Sequence, residues 1–79
     1  VKTLELINNY INSRKLEIHY ENNDLYIVNY IDIIDFNSKK IVFSSNEGNI
    51  SVVGDNLVIS KLLNKEMIIS GDIYNINLR

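Results

Sequence analysis

Three groups of residues in this chain carry side chains at spacings that chemistry could use. His19 is the single histidine and stands between Glu17 and Glu21. On an extended strand successive side chains alternate between faces, so these three share one face. An imidazole and two carboxylates could hold a divalent cation and, with it, support metal-assisted catalysis. Metal sites, however, usually gather ligands from several elements and orient them with outer partners. The plainer reading is a solvated polar face opposite Leu16, Ile18 and Tyr20. Asp32 and Asp35 form the second group. Carboxylate pairs do glycoside chemistry when they flank a cleft. At an odd offset on one short strand they point to opposite faces and read as turn and surface carboxylates.

The third group is the serines: Ser13, Ser38, Ser44, Ser45, Ser51, Ser60 and Ser70. None sits in a G-x-S-x-G elbow, and one histidine is available as a base. The chain has no cysteine, which removes thiolate ligands, cysteine nucleophiles and disulfides. Gly48, Gly54 and Gly71 are isolated, so no phosphate-cradling loop can be built from them. No catalytic, cofactor-binding or metal residue is therefore expected, and the chain reads as non-enzymatic. Five tyrosines are many for 79 residues. Tyrosine favours both strands and interfaces, and Tyr26, Tyr30 and Tyr74 are the candidate contact surface.

Composition narrows the partners. The formal net charge is −2, and Asp24 and Asp32 lie near Tyr26 and Tyr30. No basic stripe exists to neutralise phosphates, so nucleic acid is not an expected partner. No apolar run approaches the ~20 residues of a membrane span. Val1–Ile11 is polar every few residues and does not read as a signal peptide. At 79 residues the chain makes one domain, 1–79, with a stability on the order of 5 kcal/mol.

The elements that must position these residues are mostly strands. Leu4, Ile7 and Ile11 recur at helical spacing, so 1–13 is read as a short helix (Lys2–Ile11) or an N-terminal extension. From Arg14 the period changes to two: Leu16, Ile18 and Tyr20 alternate with charged residues. Asn22-Asn23-Asp24 is a turn. Leu25–Tyr30 and Ile31–Phe36 are strands with a bend near Tyr30–Asp32. Asn37-Ser38-Lys39 is a turn, Ile41–Ser45 a strand, and Asn46-Glu47-Gly48-Asn49 a turn. Ile50–Val53 and Leu57–Lys61 are strands around the turn Gly54-Asp55-Asn56. Leu62–Lys65 is a connection, and Glu66–Ser70 and Asp72–Leu78 flank Gly71. Turn signals every eight to ten residues indicate an all-β fold: mainly an antiparallel meander of about seven or eight short strands, as a small sandwich or rolled sheet.

Three stretches also carry a resemblance. They are Leu25-Tyr26-Ile27-Val28-Asn29-Tyr30, then Gly48-Asn49-Ile50-Ser51-Val52-Val53-Gly54-Asp55-Asn56-Leu57-Val58-Ile59, then Ile69-Ser70-Gly71-Asp72-Ile73-Tyr74-Asn75-Ile76. In order and spacing they resemble the YabP/YqfC family of sporulation proteins, and its YqfC branch more closely. Val28 departs from the family's usual Glu, and the N-terminal region lacks that branch's prolines. The resemblance covers Arg14 to the C-terminus. It implies structural roles for Asn29, Gly48, Gly54, Leu57 and Gly71, and no catalytic residue. It further implies a cytoplasmic protein of the mother cell, drawn to the forespore membrane through a membrane-anchored sporulation protein encoded nearby.

Two functions of different kinds follow. The first is a non-enzymatic, sporulation-associated protein that binds a protein partner or forms a homo-oligomer through its sheet, at the developing spore. The second is a small-ligand or glycan-binding β domain, which a pocket ringed by Tyr26, Tyr30 or Tyr74 would favour.

Overall fold

Alternation of apolar and polar residues makes strands, and the computed structural model describes residues 15–78 as β structure joined by tight turns. The helix expected over Lys2–Ile11 lies outside the described residues. Six strands follow one another: β1 (Glu17–Glu21), β2 (Asp24–Val28), β3 (Tyr30–Phe36), β4 (Lys40–Ser45), β5 (Gly48–Leu63) and β6 (Glu66–Leu78). They form one open antiparallel sheet in the spatial order β1-β2-β6-β5-β4-β3. The strands β3 to β6 are a meander, and the β1–β2 hairpin docks on β6, with Leu25 opposite Ile69 and Ile27 opposite Met67.

The fold is all-β as the pattern implied, with six strands in place of seven or eight. The difference lies in β5 and β6. Gly54-Asp55-Asn56 and Gly71, which read as strand ends, sit inside two continuous strands of 16 and 13 residues. The β5–β6 ladder shifts register between Val53 and Gly54, between Asp55 and Val58, and between Ile59 and Lys61. Such bulges let a strand continue while it bends. The turns between strands are built by side chains that tolerate or bond to tight backbone. Asn22 and Asn23 take φ of 53° and 65°, and Asn29, with φ of 71°, ends β2. The bend expected near Tyr30–Asp32 opens at Asn29, and β3 then shifts register against β4 between Tyr30 and Ile33. Asn37 Oδ1 accepts from the backbone N–H of Lys39 at 2.8 Å and of Lys40 at 2.9 Å, closing the β3–β4 turn.

The long β5–β6 hairpin doubles back on itself. A straight strand of 16 residues would span roughly 50 Å. Tyr30 pairs with Ser45, which pairs with Gly48 at the start of β5. The same tyrosine donates its hydroxyl to the carbonyl of Leu63, at the end of β5, at 3.0 Å. The Asn29 N–H also reaches Lys65 O at 2.6 Å. Both ends of β5 therefore meet at one side chain, and the sheet is rolled. The fold line passes Gly54 and Gly71. A Cβ on Gly54 would overlap the Asp72 carbonyl, and one on Gly71, where φ is +130°, would lie 2.5 Å from Asn56 O. Backbone runs against backbone there, and only glycine leaves the room.

Rolling encloses one core. Leu25 and Ile27 of β2, Ile41 and Phe43 of β4, Ile50, Val52 and Leu57 of β5, and Met67 and Ile69 of β6 are buried together. Leu16, Ile18, Tyr30, Ile33, Ile59 and Ile73 pack at its margin. Ser51, also buried, leaves its Oγ without a hydrogen-bond partner.

Candidate functional site

The residues that could do chemistry are spread over separate surfaces. His19 Nε2 lies 3.9 Å from Glu17 Oε1, with the two side chains 70% and 58% exposed. Glu21 shares their strand, opposite Asp24. Among the described residues no group of three His, Asp or Glu side chains converges closely enough to hold a cation. Asp32 is engaged through its backbone, its N–H meeting Ser44 Oγ at 3.1 Å, and Asp35 stands opposite Val42. Both aspartates are exposed on β3. Ser70 Oγ donates to Asp24 Oδ1 at 2.7 Å and to Ser60 Oγ at 3.0 Å, a link between strands.

The three tyrosines of interest do not converge. Tyr26 is exposed on the outer face of β2 and borders a shallow groove with Val28, Lys61, Leu63, Glu66 and Ile68. Tyr30 is half-buried against the core and bonded to Leu63. Tyr74 is 67% exposed on β6 and donates its hydroxyl to Asp55 Oδ2. The five positions that carried the family pattern fall at strand ends, at the fold line and in the core. Asn29 and Gly48 take positive φ, Gly54 and Gly71 flank the bend, and Leu57 is buried.

One polar cluster was not legible in the sequence. Lys39 Nζ from the β3–β4 turn and the Tyr74 hydroxyl both bond the carboxylate of Asp55, at the bend of β5. The bond from Lys39, and then that from Tyr74, hold the Asp55 carboxyl below the ordinary carboxylate range. The same bond to Asp55 pushes the Tyr74 hydroxyl above its usual value. A group that relays protons near neutral pH needs its pKa moved toward neutrality. Here the two pKa values move apart, away from neutral pH. The cluster is suited to fastening the turn, the bend and β6 together. The backbone repeats the attachment, with Gly54 N–H on Lys39 O at 3.0 Å and Leu57 N–H on Ser38 O at 2.9 Å.

What the molecule offers outward is strand edge and apolar surface. β1 and β3 end the sheet. β4 pairs with β5 as far as Val53, and β2 with β6 as far as Ser70. Beyond those points, among the described residues, β5 and β6 pair with each other alone, so each presents a further free edge. Ile31, Ile34 and Phe36 on β3 are 50%, 55% and 66% exposed, and Tyr74, Ile76 and Leu78 on β6 are exposed as well. No helix among the described residues is long and apolar enough to cross a membrane.

The family model described as the YabP family matches residues 12–79. No curated protein and no solved structure matches the chain.

Proposed function

The chain belongs to the YabP family, and on that premise we propose that it is a non-enzymatic protein that binds a protein partner or assembles through its sheet at the developing spore. Family membership is consistent with a sporulation-related protein. The observation that carries the binding reading is the pairing of free strand edges with large exposed apolar side chains. Soluble monomers seldom leave such side chains clustered on an open edge, because an edge is a template for strand addition. Ile31, Ile34 and Phe36 on β3 stand in that position, as do Ile76 and Leu78 on β6. The partner is a membrane-anchored protein of the same programme, encoded by a neighbouring gene. It would hold this domain at the forespore membrane from the mother-cell cytoplasm.

The test is size-exclusion chromatography with light scattering, on the purified chain alone and mixed with the soluble part of the neighbouring gene's product. A stable complex or a defined oligomer supports the reading. A lone monomer that ignores the partner defeats it and moves attention to the groove beside Tyr26, where a glycan and small-ligand screen would follow.

A further inference from the structure

The four edges left unpaired among the described residues differ in what they would meet if a second strand came alongside. Laid antiparallel on its own copy about His19, β1 sets Glu17 opposite the copy's Glu21, a like-charge pair at each end. β3 carries Asp32 and Asp35 and shifts register twice against β4. The Val58–Leu63 part of β5 has a bulge between Ile59 and Lys61, with a lysine near its centre. Charge and bulges are the ordinary means by which sheets blunt their edges.

Past the register shift that skips Tyr74, the last part of β6, Asn75 to Leu78, has none of these. Asn75 to Leu78 stand in unbroken register opposite Val53 to Ile50. The stretch Tyr74-Asn75-Ile76-Asn77-Leu78 holds no charge and no proline. Its Tyr74, Ile76 and Leu78 side chains are 67%, 39% and 63% exposed.

We propose that this edge pairs with the same edge of a second copy of the chain, antiparallel, with the two-fold axis at Ile76. Asn75 then faces Asn77 of the copy and Ile76 faces Ile76, with Tyr74, at the register shift, beside Leu78 at each end. Apolar side chains meet on one face of the joined sheet and amides on the other, and no charge opposes a like charge. The contact uses the same patch on both copies, so it closes at two. It rests on the assembly half of the proposed function and narrows it to one edge and one occupant.

The chain has no cysteine, so a single introduced thiol reports on this geometry alone. Directly opposed residues of an antiparallel pair have Cα atoms about 4.5–5.5 Å apart, within disulfide reach. Under mild oxidation Ile76→Cys is expected to become a covalent dimer of twice 9.1 kDa. Ile34→Cys on β3 and His19→Cys on β1 are expected to stay single chains. Linkage at position 76 no faster than at 34 and 19 overturns the proposal. As a second arm, Ile76→Lys is expected to lower the light-scattering mass of the wild-type chain twofold with an unchanged circular-dichroism spectrum. A wild-type chain that assembles or binds the neighbouring product, yet shows neither the linkage nor the loss, refutes this edge and leaves the broader reading standing. Open-ended polymers in place of a dimer also refute it, since a two-fold contact cannot propagate.

Discussion

Replacing Gly54 by alanine should nearly unfold the domain, although it adds one methyl group. The Cβ would overlap the Asp72 carbonyl and come within 3.1 Å of Ile73 Cα. Both are backbone, so no rotamer change relieves the contact, and β5 and β6 must part where they cross the fold line. A ladder bond sits near 2.9 Å and is weak beyond about 3.2 Å, so parting the strands forfeits the bonds on either side of position 54. Two such bonds are worth about 1 kcal/mol each. Overpacking adds ~1–3 kcal/mol, and the reduced freedom of the unfolded chain offsets ~0.4–1 kcal/mol. The net loss is about 2–4.6 kcal/mol, out of roughly 5 kcal/mol for a domain of this size. With a urea slope near 1 kcal/mol/M, the midpoint should fall by about 2–4.6 M. Circular dichroism over a urea series reads this directly. A Gly54→Ala midpoint within about 0.5 M of wild type would show that the backbones do not run so close, and the rolled hairpin would have to be redrawn.

Three further outcomes are expected. Asp55→Asn should flatten the pH profile of stability at both ends. The depressed Asp55 carboxyl gives stability that is present above the ordinary carboxylate range and is lost as pH falls through its folded value. The raised Tyr74 hydroxyl gives stability that is present below the usual tyrosine range and is lost as pH rises through its folded value. Thermal melts across acid and alkaline buffers test both limbs, and a variant with the wild-type profile would dismiss the cluster. Ser51→Ala should leave stability unchanged or raise it by up to ~1 kcal/mol, because it deletes a buried hydroxyl with no partner; a clear fall in melting temperature would contradict this. Tyr30→Phe should cost about 0.5–1.5 kcal/mol by freeing Leu63 O, and hydrogen exchange should quicken first around Asn64 and Lys65.

Local pattern made β1, β2 and β4 legible, since Leu25 and Ile27, or Ile41 and Phe43, alternate with exposed or half-exposed neighbours. It misjudged β5 and β6 because the residues that make a turn also make a bulge. Asn56 and Gly71 supply the same positive-φ backbone either way, Gly54 the same lack of a side chain, and only the partner strand decides between turn and bulge. The docking of β2 on β6 left no local trace, because Asp24 and Ser70 are 46 residues apart. The Lys39–Asp55–Tyr74 cluster was hidden for the same reason. Its members stand 16 and 19 residues apart, and each alone reads as an ordinary surface or turn residue.

The docking of β2 on β6 also sets an order of events during synthesis. The β1–β2 hairpin leaves the ribosome before β6, and Leu25 and Ile27 lack their β6 partners until Met67 and Ile69 emerge. A lone two-stranded hairpin is at best marginally stable in water. Nascent chains that stop short of Ser70 would hold two strands with nowhere to dock, and quality-control proteases would see them as unfolded. Docking of the β1–β2 hairpin therefore waits for Glu66–Ser70, the opening residues of β6.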